Sequence, residues 1–158
     1  MEKDWDGLWM DEAIALAREA MAQGEVPIGA VVIKDGKVVG KGYNRREICR
    51  NALAHAELIA IDEACRTLGS WRLTGCELYV TLEPCPMCAG AIVQARILRV
   101  IYGAKDPKAG YAGSLHNILQ DERLNHQVQI TAGVREEICQ TLLKTFFRHL
   151  REEKKGKK

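Results

Sequence analysis

The chain has 158 residues, a formal net charge of +2 and 47% hydrophobic residues. Those values suit one globular domain with a sizeable core, and they exclude a disordered chain or a uniformly basic nucleic-acid coat. No apolar run approaches the roughly 20 residues of a membrane helix, and the start, Met1-Glu2-Lys3-Asp4-Trp5-Asp6, lacks a basic-then-apolar leader, so a cytoplasmic protein is expected.

The first periodic segment is Trp9–Ala22, which sets Ala13, Ile14, Ala17, Ala20 and Met21 on one face at helical spacing and ends near Gly24. Val26–Ile33 is apolar on both alternating faces, the pattern of a strand covered on two sides. Lys34-Asp35-Gly36-Lys37 holds the Asp-Gly pair of a tight hairpin. The return strand, Lys37–Tyr43, carries the glycines and lysines of a sheet edge. Asn44–Leu53 is polar and irregular, with Arg45, Arg46 and Arg50; it reads as a solvated connector or as a loop beside a site.

Ala54–Leu68 reads as a helix whose apolar stripe is Ala54, Leu58, Ile61, Cys65 and Leu68. Glu57 falls on the same stripe. A charge aimed at a core is costly unless it is paired or sits near a metal. After a connector containing Trp71, Cys76–Leu82 forms a second apolar strand and runs into Pro84-Cys85-Pro86. Pro86 suits the first position of a helix, which makes Cys85 the N-cap and Cys88 the third helical residue. Both sulfurs then meet unpaired backbone N–H groups at the positive helix end, which favours thiolates.

Ile97–Gly103 is a third buried strand, and Ala104–Ser114, with Asp106, Lys108, Gly110 and Gly113, is long enough to be a functional loop. Leu115–Gln120 suggests a short helix and Gln127–Ile130 a short strand. Val134–Arg151 closes the fold as a helix that buries Ile138, Leu142, Leu143, Phe146, Phe147 and Leu150. Lys144, Arg148 and Arg151 make one basic stripe on it, either a solvated face or a contact for an anion. Residues 152–158 are expected to be a disordered basic tail on a single domain spanning 1–158. The six cysteines are too scattered for a disulfide framework and read as two ligands and four buried thiols.

His55-Ala56-Glu57 and Pro84-Cys85-Pro86-Met87-Cys88 together carry chemistry. One imidazole and two thiols are three ligands; a catalytic zinc takes three and keeps one position for water, whereas a structural zinc takes four. A redox Cys-x-x-Cys has no need of His-x-Glu, and His116, His126 and His149 are not at paired spacing for a fourth ligand. Zinc lowers the pKa of water to about 7, which supplies hydroxide for attack on a ring carbon bearing an amino group. The amine leaves well only when protonated, and Glu57, two residues from His55, is the carboxylate available to carry that proton. The reading is therefore a catalytic zinc on His55, Cys85 and Cys88, with Glu57 as the proton carrier.

His-x-Glu followed by Pro-Cys-x-x-Cys matches the signature of the zinc-dependent deaminases. The chain as a whole resembles the bacterial tRNA-specific adenosine deaminases. The likeness runs from Gly24-Glu25-Val26-Pro27-Ile28-Gly29-Ala30 through Tyr43-Asn44, Ala54–Glu57, Gly69–Leu73 and Thr81–Gly90. It continues in Asp106-Pro107-Lys108, Ala112–Leu115, Leu124-Asn125-His126 and Phe146-Phe147-Arg148. The resemblance implies a three-layer α/β/α cytidine-deaminase-like fold with a mixed five-stranded sheet flanked by helices. It implies a homodimer, one zinc per subunit, and conversion of adenosine to inosine at the wobble position of a tRNA anticodon loop.

It further implies that Asn44 hydrogen-bonds the purine, assisted by the backbone N–H of Ala56, and that Arg46, Asp106, Lys108, Asn125, Phe147 and Arg148 border the anticodon. Ala52-Leu53 and Gln127 depart from the family, where Pro-Thr and Arg are common. Two other functions stay open at this point: deamination of a free guanine- or cytosine-type base or nucleotide, and a non-catalytic zinc-bearing RNA-binding module.

Overall fold

The computed structural model describes residues 3–156. Helix α1, Trp5–Ala22, starts earlier than the apolar spacing suggests, because the Asp4 carboxylate accepts from the Gly7 N–H at 3.0 Å and caps it. Strands β1, Gly29–Lys34, and β2, Lys37–Tyr43, form the expected hairpin, with Asp35 and Gly36 both at positive φ, 51° and 73°. Helix α2 is Ala56–Leu68, β3 Glu77–Leu82, α3 Pro86–Gln94 and β4 Arg99–Ala104. A single 3₁₀ turn, Ile118–Gln120, stands where a short helix was expected; β5 is Gln129–Ala132 and α4 Glu136–Gly156.

The sheet has the order β2-β1-β3-β4-β5, with β1 antiparallel to both neighbours and β3, β4 and β5 parallel. It is the mixed five-stranded sheet expected, and β2 is indeed an edge. Alternate residues feed two cores. Ala30, Val32, Leu78, Val80, Val100 and Tyr102 face α2 and α3. Val31, Ile33, Tyr79 and Ile101 face α1 and α4. The absence of a polar face on β1, β3 and β4 follows from this double covering. Gly40 lets α2 lie directly on β2, since a Cβ there would sit 2.1 Å from the Ala60 carbonyl oxygen.

Two expectations are corrected. The end of the chain is not a disordered tail from residue 152: α4 continues through Gly156, with Lys154 and Lys155 in its last turn, where positive charge favours the helix dipole. Residues 157 and 158 of that expectation lie outside the described residues. The cysteines other than the ligands are not all buried. Cys76 and Cys139 are, Cys65 is half-buried and Cys49 is exposed on the loop after β2, where no core reaches it.

Asp6 in α1 ties the helix layer to the sheet. Its carboxylate accepts from both terminal nitrogens of Arg99 (3.0 and 2.8 Å) and from the Tyr79 hydroxyl (2.7 Å). Arg99 also pairs with Glu77 and Thr131, so one guanidinium joins α1, β3, β4 and β5. No helix among the described residues is long and apolar enough to cross a membrane.

Candidate active site

Two helix beginnings meet at one end of β3. His55 is the N-cap of α2 and Cys85 the N-cap of α3, with Pro86 opening α3 as expected. Cys88 follows in the first turn and is buried. His55 Nδ1 lies 3.6 Å from Cys85 Sγ and 3.5 Å from Cys88 Sγ. One donor atom from each residue falls within 4.8 Å of the others, and no fourth His, Cys, Asp or Glu joins them among the described residues. His126 instead bonds the Ile97 carbonyl oxygen at 2.7 Å, and His116 packs edge-on to Tyr111.

The donor chemistry fits a soft divalent cation. Hydrogen bonds from Cys88 first, then His55, hold the Cys85 thiol down at about 4, while its bond to Cys85 and its burial push Cys88 up. One imidazole and two sulfurs are the donor set such a cation takes. His55 is raised, chiefly by its hydrogen bond to Cys85.

Glu57, in the first turn of α2, is 4% exposed. Burial is the main force that pushes its carboxyl up to about 7. A carboxyl there exists in both protonation states near neutral pH, as a proton carrier must.

The cluster opens into a cavity of about 910 Å³ lined by His55 and Ala56, by Asn44 and Arg46 after β2, by Asp106 and Lys108 after β4, and by Phe147 of α4. Asn44 is buried and preset: its Nδ2 donates to the Val26 carbonyl at 3.4 Å, and its Oδ1 accepts from the Arg46 N–H at 3.2 Å. Ala56 is the first residue of α2, so its N–H belongs to the turn whose donors have no helical partner. Asp106 Oδ1 accepts from the backbone of Lys108 and Ala109 at 3.1 and 3.2 Å, which staples a turn in the loop. Phe147 is 41% exposed.

Asn125 and Arg148 are exposed and do not line the cavity. The reason for Arg148 is angular. Leu143, Lys144, Phe147, Leu150, Arg151 and Lys154 are the α4 residues that line it. At about 100° per residue they lie within about 60° of Phe147, whereas Arg148 is about 100° away. Arg151 and Lys154, with Lys105, complete a basic rim that sequence reading did not assemble. It also missed Glu25 and Glu83, 1% and 2% exposed, each of which accepts backbone N–H bonds from a loop beside the cavity. The signal for Glu83 was an acidic residue against a proline, Pro84, at the end of an apolar run.

Four similarities bear on this arrangement. A model of the MafB19-like deaminase family matches residues 4–151. A tRNA-specific adenosine deaminase of Bacillus subtilis is 54% identical over 96% of this chain and 94% of its own. A solved structure from work on A-to-I editing by tRNA:A34 deaminases at the wobble position superposes with a TM-score of 0.83 at 43% identity, covering 86% of this chain and 99% of that one. A guanine deaminase from Bacillus subtilis is more distant in shape, with a TM-score of 0.63 at 40% identity over 72% of this chain and 71% of its own. This chain belongs to the MafB19-like deaminase family and, within it, to the tRNA-specific adenosine deaminases.

Proposed function

We propose that this protein hydrolyses adenosine to inosine at the wobble position of tRNA through a zinc site on His55, Cys85 and Cys88. The observation that carries the reading is this three-donor cluster, whose His55 lines a wide, cation-rimmed cavity. At about 910 Å³ the cavity lies near the top of the range for small-molecule sites, roughly 300–1,000 Å³. It has room for a splayed base together with its neighbours. An anticodon loop is already single-stranded, so presenting one base does not require opening a duplex.

Zinc, held there, supplies the Lewis acidity that activates water at neutral pH. Glu57 would take one proton from the attacking water and give it to the purine ring nitrogen, then take the second from the hydroxyl so added and give it to the amine, which leaves as ammonia. Asn44 and the Ala56 N–H hold the base edge. Arg46, Lys108, Arg151 and Lys154 meet phosphates, and Phe147 offers a ring for stacking. Asn125 and Arg148 belong to the outer contacts of a substrate longer than the cavity. The working unit is a cytoplasmic homodimer, which sedimentation tests.

The deciding experiment offers the zinc-loaded protein an anticodon stem-loop, free guanine and free cytosine in parallel. Inosine in the RNA with neither xanthine nor uracil is expected. Xanthine or uracil without inosine would replace the reading with a free-base deaminase, and no product from any of the three would favour a binding module.

A further inference from the structure

We propose that Glu83 is a positioning residue for RNA, a buried anchor that fixes the substrate-facing loop 105–114 to the backbone carrying Cys85. The inference rests on the tRNA reading above. Three backbone donors converge on this one carboxylate: Asp106 N–H at 3.0 Å, Ala112 N–H at 3.0 Å and Ser114 N–H at 3.0 Å. The Ser114 hydroxyl donates to it as well. The next residue of the anchor joins in, since the Pro84 carbonyl accepts from the Tyr111 N–H at 2.8 Å.

The loop therefore wraps around the Glu83 side chain rather than resting on it. Gly110 shows how closely: a Cβ there would sit 2.3 Å from the Glu83 carboxyl carbon. Only a residue without a side chain passes at that point. The front of the same loop, Lys105 to Ala109, lines the cavity. The back of it is held by Glu83, and Glu83 is two residues from Cys85 in the chain. One short link thus sets the distance between the metal ligands and the loop that reads RNA. Irregular backbone of this length has no sheet or helix to hold its shape, so its buried N–H groups need such an acceptor.

The test uses full-length, zinc-loaded Glu83→Gln and Ser114→Ala proteins. Zinc content, thermal unfolding, kcat and KM for inosine formation, and Kd for a fluorescent anticodon stem-loop are measured. Glu83→Gln replaces one accepting oxygen by an NH2 donor that faces other donors, and should raise KM and Kd by about tenfold or more, with kcat falling by less than about threefold. Ser114→Ala removes one bond and should raise both by about threefold, restored by Ser114→Thr. KM and Kd within about twofold of wild type in folded Glu83→Gln overturn the proposal, as does loss of zinc with RNA affinity intact. If Glu83→Gln does not fold, unchanged KM and Kd in Ser114→Ala overturn it. Wild type that binds the stem-loop without making inosine sinks the functional reading alone, and the Kd comparison still decides the anchor. Wild type that does neither sinks both.

Discussion

Replacing Glu57 by glutamine should separate stability from catalysis. The amide keeps the shape of the side chain but cannot ionise or carry a proton. In the metal-free protein, burial raises the Glu57 carboxyl from 4.5 to about 7. Each tenfold change in that ionisation constant is worth about 1.4 kcal/mol, so the charged form costs about 3 kcal/mol. The sign follows from proton binding. As pH rises from 4.5 toward about 7, the unfolded chain gives up the Glu57 proton while the folded chain retains it, so wild-type stability falls.

Glutamine is insensitive to pH. Metal-free Glu57→Gln should therefore gain about 3 kcal/mol on wild type between acid and about pH 8, or about 6–12 °C in Tm by parallel melts. Zinc-loaded Glu57→Gln should lose about a hundred- to ten-thousand-fold in single-turnover inosine formation. A folded, zinc-loaded variant working within about tenfold of wild type would refute the proton role. A flat difference in Tm across pH would refute the burial argument.

Dialysis against a chelator should abolish inosine formation and zinc should restore it; full activity in protein shown to be metal-free would end the zinc reading. Arg151→Glu should raise KM for the stem-loop by about fivefold or more and weaken its salt dependence, and Arg148→Glu by about twofold, because only Arg151 lines the cavity; equal effects would refute the assignment of the α4 face. Arg99→Met leaves Asp6 and Glu77 without their shared cation and should lower Tm at neutral pH by about 5–10 °C. Hydrogen bonding to Arg99 lowers the Asp6 carboxyl, so that stabilisation is complete above the ordinary carboxylate range and is lost as pH falls through the lowered value. A Tm difference that persists undiminished in strong acid would place the effect elsewhere.

The chemistry was more legible than the rim. His55, Cys85, Cys88 and Glu57 are marked by residue type and spacing; the helix start at Pro86 is where it was expected, whereas α2 begins at Ala56 rather than Ala54 and leaves His55 as its N-cap. The strands were visible because double covering leaves unbroken apolar runs such as Ala30–Ile33. The start of α1 lay hidden because its signal is one capping side chain, Asp4, ahead of an apolar stripe that begins later. Of the basic stripe on α4, Lys144 and Arg151 line the cavity and Arg148 does not, since charge spacing alone does not say where the cavity lies. The anchoring of the loops by Glu25 and Glu83 rests on contacts between segments 22 to 31 residues apart, to which local pattern is blind.

The reacting centre and the rim are built from different materials. The donors and Glu57 ride on helix beginnings pinned by packing, as where Gly40 admits α2 against the sheet edge. The groups that face a substrate sit mostly on connecting segments and on the outer half of the last helix. Sequence drift in those segments can retune what is admitted while leaving the hydrolytic apparatus untouched. One scaffold can in this way serve a macromolecule in one lineage and a small purine in another.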